Sequence, residues 1–548
     1  MSATDHNGAA SSRKLLEGID AALARGALDE AIQLGETLVE LQPRNVIGRV
    51  RLVSALLQRG EFGRAHWHAL AAAELKPEKP ELVLSLARQL IRFLENDALI
   101  GCLRNLGFRR AATAQVLAEA GVLLSNIGAH DEAVAMLDLA LQRDPRHAPS
   151  RYFRGNLHMF AGELAQAERS LELSLSADPR FAQASWVLSS LYPQTTERNH
   201  VSRIQEQLRQ AQPGLGAEIY LNFALFNELH DLERYPEAWS ALERGCAAKR
   251  RRIHYDHADT MGVFPRLMAQ CDADFVAARP IESPKLTPIF IVGMHRTGTT
   301  LLERVLAGHP DVADGGESYA FNVDMKLQAD YGFPGMLDAE LIRRAAAIDF
   351  RRVGERFTAR CIRRANGRQW FTEKLPSNFL NVGYIAKALP HAKFLHLVRD
   401  PRETCFSNLR TLFSEACGYS YQQGELADYY LGYRKLMEHW HRVLPGRILD
   451  VDFVRLTNDT EAVAKEVFDY CGLSFVAEAL NTEKTRGVVA TASSAQVRPQ
   501  NQCAYGSGME PLSPATGATV VSPGPTREQS ERSRQLTIGA IVAASSAD

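Results

Sequence analysis

The sequence predicts two architectures in one chain: a helical-repeat domain in the N-terminal half, followed by an α/β P-loop-like domain with a central parallel sheet. Three observations carry that expectation. Prolines recur at positions 43, 77, 145 and 179, spaced by 34, 68 and 34 residues. The apolar run Pro288-Ile289-Phe290-Ile291-Val292 leads into a turn bracketed by Gly293 and Gly298, then into a helical apolar stripe. Beyond it, strand-like runs at 371–373, 393–398 and 447–451 alternate with helical stretches, the order of βαβ units. At 548 residues the chain has room for more than one domain, on a prior of ~150 residues each.

Residues 1–13 are polar and read as disordered, with no apolar segment of the signal-peptide kind. The repeats then occupy 14–255. In register with the prolines stand Gly26, Gly60, Gly128 and Gly162, each followed five residues later by Ala31, Ala65, Ala133 and Ala167. Glycine permits the tight interhelix turn, alanine lets two helices approach, and proline stops the second helix. A 34-residue period with these residues is the tetratricopeptide signature. One slot breaks it, with Leu94 and Ala111 where Gly and Pro belong, although Leu86, Leu90 and Leu94 keep helical spacing. A further helix pair is expected from Ala217 to Arg252, turning at Tyr235-Pro236-Glu237-Ala238. The cations Lys249-Arg250-Arg251-Arg252 fit the negative end of its second helix and a solvated face. The concave surface of such an array suits a protein or peptide partner, or the array braces its neighbour.

A net charge of −1 argues against a nucleic-acid-coating protein. The eight cysteines show no CxxC and no regular spacing, which suits reduced thiols rather than a disulfide framework or a metal site. No apolar stretch reaches the ~18 residues of a membrane span. The expected location is the cytoplasm.

After a linker at 256–287, the second domain is expected over 288–500. Its first strand ends in Gly293-Met294-His295-Arg296-Thr297-Gly298-Thr299-Thr300, and Leu301, Leu302, Val305 and Leu306 share one face of the following helix. Strand, glycine-bracketed turn and helix cradle phosphate, because backbone N–H groups and the helix N-terminus converge on an anion. Thr299 stands where a nucleotide-binding P-loop carries Lys, and no acidic magnesium motif follows, which disfavours a kinase. The strand at 393–398 ends in Arg399-Asp400-Pro401, where Asp400 suits an N-cap and Pro401 the first helical turn. Arg399 then lies at the carboxyl edge of the sheet, with Ser407 two turns along, and the two suit a second phosphate. An ordinary helix-start ion pair of Arg399 is the simpler alternative.

The loop at 293–302, with Arg399 and Ser407 eight residues apart, resembles the two cofactor loops of the sulfotransferases. The resemblance extends through His309-Pro310-Asp311-Val312 and Gly316-Glu317, covers about 285–500, and is similar to the tyrosylprotein sulfotransferases and to bacterial proteins that fuse tetratricopeptide repeats to such a domain. It implies PAPS (3′-phosphoadenosine 5′-phosphosulfate) as co-substrate, without a metal. By position it implies that Arg296, Thr297, Gly298, Thr299 and Thr300 grip the phosphosulfate and that Arg399 and Ser407 grip the 3′-phosphate. It implies Glu317 as general base, with Lys374, in Glu373-Lys374-Leu375-Pro376, and Arg296 steadying the charge that develops on the leaving side. Ser493 and Ser494, in Thr491-Ala492-Ser493-Ser494, match a late cofactor-contacting segment. Tyrosine of a protein or peptide is the implied acceptor. His295 is the alternative base, and His309 reads as structural.

The family pattern continues through a Trp-x-x-Tyr helix, whereas no aromatic residue follows Tyr505 here and the composition of 501–548 is that of a disordered tail. Met509-Glu510 is encoded ATG-GAR, and reading one base later forces TGG, a Trp codon. A frameshift near 498–502 therefore accounts for the departure, and the nucleotide sequence tests it. Two functions follow: a sulfotransferase whose repeats recruit an acceptor, or a catalytically silent repeat scaffold with a nucleotide-binding domain.

Overall fold

The computed structural model describes residues 3–212, 214, 216–277, 284–413 and 417–480. The described residues form two compact units. The first takes the chain up to Phe181 together with Ala320–Gly335 and Arg343–Asp349. The second takes Ala182–Tyr319, Met336–Ile342 and the described residues from Phe350 onward.

The first unit is a stack of antiparallel helix pairs, among them Val46–Arg59 with Phe62–Glu74, His130–Arg143 after Ala114–Asn126, and Leu164–Ala177 after Ala148–Ala161. The periodic glycines sit in its turns: Gly26, Gly60, Gly128 and Gly162 have φ of 71°, 86°, 79° and 85°. Each turn closes with the same bond, from the amide after the glycine back to a carbonyl five residues earlier (Ala27 to Ala22, Glu61 to Leu56, Ala129 to Leu124, Glu163 to His158). Ala31, Ala65, Ala133 and Ala167 are all fully buried between helices. The irregular slot keeps this geometry without its glycine. Leu94 takes φ 55° and Glu95 donates to the Leu90 carbonyl, so Leu94 carries a strain of about 1–2 kcal/mol. Its side chain packs against the core, which offsets that strain. The second helix here, Asn96–Leu103, is short, and buried Leu99 stands in place of the small alanine.

Helix Ala320–Ala329 completes this unit. Val323 lies in the same buried cluster as Phe62, Ala65 and Ala69, and the Gly332 amide donates to the Gly60 carbonyl at 2.9 Å. Gly63 N–H donates to Asp330 Oδ1 at 2.6 Å. A Cβ on Gly332 would sit 2.4 Å from the Phe62 ring, so this crossing requires glycine.

Three sequence expectations change. The first helix begins at Ala3, inside the segment read as disordered, because Ile19 and Ala22 bury against the next helix and the helix propagates upstream of them. The turn between Ala217–Asp231 and Tyr235–Arg252 falls at 232–234, with Glu233 at φ 58°. Pro236 instead opens the second helix, where its missing N–H costs nothing. The segment 256–287 holds helices His257–Gln270 and Ala273–Val276, and Phe264 packs on Gly432 of helix Gln423–Val443.

The second unit holds five parallel strands: β1 (Thr287–Gly293), β2 (Val312–Ala313), β3 (Trp370–Glu373), β4 (Lys393–Val398) and β5 (Ile448–Asp452). Their order is β2-β3-β1-β4-β5. Strand β1 is buried throughout and lies between β3 and β4, where the winding of the sheet reverses. Ligands of open parallel sheets bind at the carboxyl ends around such a switch point, which places the loop after β1 at the centre.

Candidate active site

Helix Thr299–Ala307 follows β1 after five residues, with Leu302, Val305 and Leu306 fully buried beneath it. The intervening loop is bent by three left-handed residues, Gly293 (φ 151°), Arg296 (φ 69°) and Gly298 (φ 102°). A Cβ on Gly293 would meet the Leu397 carbonyl at 3.0 Å, and one on Gly298 would lie 2.3 Å from the Phe453 ring. Thr297 donates its hydroxyl proton to the Met294 carbonyl at 2.8 Å, so its backbone N–H is what it offers an anion. No side chain caps the helix, and Thr299 and Thr300 occupy its first turn.

The second cationic element starts where β4 ends. Asp400 accepts from the amides of Arg402 and Glu403 at 2.9 and 3.0 Å, as an N-cap, and Pro401 opens the helix Pro401–Leu409. Arg399 pairs with Glu403 at 2.9 Å, stacks over the Phe453 ring at 4.5 Å, and donates to the Arg296 carbonyl at 3.2 Å. Arg296 Nε lies 3.4 Å from Ser407 Oγ. Asn408 ties the same helix to the His295 carbonyl at 2.7 Å. Arg296, Arg399 and Ser407 are thus brought together, and Phe453, which sequence reasoning missed, fills the space that Gly298 leaves open. Two guanidiniums, three hydroxyl side chains and an uncapped helix N-terminus form a donor set fit for a polyanion.

At the carboxyl end of β3 a third group assembles. Lys374 is fully buried, with Nζ 2.5 Å from Glu317 Oε1 and 3.8 Å from Glu303 Oε2. Glu317 reaches it through two glycines. A Cβ on Gly315 would lie 1.8 Å from the Thr372 carbonyl, and the Gly316 carbonyl accepts the Lys374 amide at 2.9 Å. Burial pushes the Glu303 carboxyl up to about 8, against the pull of Lys374. Burial also pushes Glu373 well above its ordinary range, and neither of its carboxyl oxygens has a hydrogen-bond partner. Burial thus favours the protonated forms of Glu303 and Glu373, and Glu317 Oε1, at 2.5 Å, lies nearer Lys374 Nζ than Glu303 does.

Sequence reasoning missed Glu303. Its signal was a carboxylate one position after Leu302 and three before Leu306, on the inward side of an amphipathic helix. His295 is part-buried, its pKa is pushed down to about 4 by desolvation, and its Nδ1 lies 3.0 Å from Tyr419 Oη. It stands in the field of Glu317, Lys374 and Arg296 as a neutral ring. Both nitrogens of His309 are occupied, by the Ser474 carbonyl and the Asp311 amide, each at 3.1 Å. Ser493, Ser494 and the tail at 501–548 lie outside the described residues.

Residues 288–477 match the model of the sulfotransferase family. The chain is 28% identical over 289 residues to an uncharacterized protein of Aquifex aeolicus (strain VF5), covering 50% of this chain and 37% of that one. It is 29% identical over 121 residues to protein-tyrosine sulfotransferase 1 of Danio rerio, covering 22% of this chain and 34% of that one. The chain thus spans little more than a third of either relative. Among solved structures, the sulfotransferase domain of the Synechococcus PCC 7002 olefin synthase aligns with 49% of this chain and 98% of its own length, at 17% identity and a TM-score of 0.31.

Proposed function

We propose that this chain, whose residues 288–477 form a domain of the sulfotransferase family, transfers a sulfuryl group from PAPS to an acceptor hydroxyl, with tyrosine of a protein or peptide as the acceptor. Bound PAPS supplies an activated sulfuryl group on a phosphate leaving group. Arg296 and the backbone of 297–300 hold its phosphosulfate end, and Arg399 with Ser407 holds its 3′-phosphate. Glu317 takes the proton of the acceptor hydroxyl at Oε1, the oxygen now facing Lys374. Lys374, released from that pairing, steadies negative charge on the leaving side. Losing a preorganised donor of this kind costs on the order of 10²–10³ in rate.

The observation that carries the proposal is the pairing of buried Lys374 with exposed Glu317 in the same unit as the converging Arg296, Arg399 and Ser407. The repeat array, which exposes Trp67 beside Arg49, recruits the protein or peptide acceptor. No described helix is long and apolar enough to cross a membrane, and we place the protein in the cytoplasm. Calorimetry with adenosine 3′,5′-bisphosphate tests the cofactor: tight binding is expected in the native chain and its loss in Arg399→Ala. Preference for ATP would overturn the reading. Transfer of labelled sulfuryl, lost in Glu317→Ala, then distinguishes an enzyme from a silent scaffold.

A further inference from the structure

Away from this loop, three metal-ligating side chains meet on the other half of the sheet. His396 of β4 and Asp450 of β5 are register partners on adjacent strands, so their side chains leave the same face. His441, in the last turn of helix Gln423–Val443, comes down on that face. His396 Nδ1 lies 2.8 Å from Asp450 Oδ1 and His441 Nε2 lies 3.0 Å from the same oxygen. One ligand atom from each of the three residues lies within 4.8 Å of the other two. We propose that His396, His441 and Asp450 bind a divalent transition-metal ion, zinc in the first instance, in a site separate from the sulfuryl-transfer residues.

The donor types select the ion. Two imidazoles and one carboxylate suit zinc, with metal–ligand distances of about 2.0–2.2 Å and a fourth position left to water. Hard ions such as magnesium and calcium prefer all-oxygen sets. Asp450 and His441 are part-exposed while His396 is buried, so the ion has an entry path and one anchored ligand. The distances now seen are those of two ring N–H groups donating to one carboxylate oxygen. An ion at that point replaces both protons, and a modest opening of the three side chains accommodates it.

The second layer favours the metal-bound tautomer. His396 Nε2 is hydrogen-bonded to the buried Tyr433 hydroxyl. With Nδ1 on the metal, Nε2 carries the proton and donates it to Tyr433, the arrangement that orients most metal-binding histidines.

Cobalt substitution tests this on the full-length chain, stripped with chelator and carrying no polyhistidine tag. One equivalent of Co²⁺ is expected to give tetrahedral d–d absorption that one equivalent of Zn²⁺ displaces. His441→Ala and Asp450→Asn, both at part-exposed positions, should abolish the bands while circular dichroism is unchanged. Tyr433→Phe should weaken Zn²⁺ binding by about 10-fold or more. Absence of the bands in the native chain, or bands that survive both His441→Ala and Asp450→Asn, would overturn the site.

Discussion

Glu303 shows how one buried proton sets the charge of the candidate centre. Its carboxyl is pushed up to about 8 from an ordinary 4.5. Between those values the folded chain holds a proton that the unfolded chain has lost, so stability falls as pH rises from 4.5 to 8. On the proposed function the same proton bears on catalysis. When Glu303 is neutral, Lys374 answers only to Glu317, and when Glu303 ionises it competes for the ammonium 3.8 Å away. Sulfuryl transfer is therefore expected to decline as pH rises through about 8, and Glu303→Gln, which fixes the neutral form, should remove that decline while retaining activity near neutrality. A pH–rate profile whose alkaline limb persists unchanged in Glu303→Gln would refute this assignment. His295 differs: with its pKa near 4 it stays neutral across this range and contributes nothing to the limb.

At the level of elements, the Gly315-Gly316 turn determines where Glu317 arrives. The Gly315 backbone lies so close to β3 that a methyl group would overlap the Thr372 carbonyl, while Arg364 donates to the Gly315 carbonyl at 2.7 Å. Gly315→Ala should therefore push the turn off the strand, costing about 1–3 kcal/mol in stability and separating Glu317 from Lys374. Thermal melts with matched transfer assays would check it, and an alanine variant with native melting and native rate would contradict the geometry. Backbone requirements of this kind are legible in sequence because a single residue type meets them. Gly26, Gly60, Gly128 and Gly162 announced the repeats, and Gly293 with Gly298 announced the sharply bent loop after β1. Leu94 hid a turn of the same kind, since its packing outweighs its preference. Glu303 showed only its inward place on a helix, and Glu373 and Phe453 were not legible as site residues, because burial contributed by distant parts of the chain gives them their character. The His396, His441 and Asp450 cluster was invisible for the same reason, its members arriving on three elements.

For the whole molecule, the telling feature is that the repeat unit is finished by chain from the middle of the family domain. Val323 follows the candidate base by six residues and is nevertheless part of the buried cluster around Phe62 and Ala65. Val323→Asp should destabilise that unit by on the order of 3 kcal/mol, through an unpaired charge in an apolar core. Hydrogen exchange would read this as lost protection in Val46–Arg59 and Phe62–Glu74, and unchanged protection there would contradict the placement of helix Ala320–Ala329. The excursion also bears on any exchange of the repeats. A recombination that exchanged the repeats at Phe181 would leave their last helix behind in the recipient, with Val323 facing the wrong partner. A foreign array grafted onto this domain would need Ala320–Gly335 to travel with it.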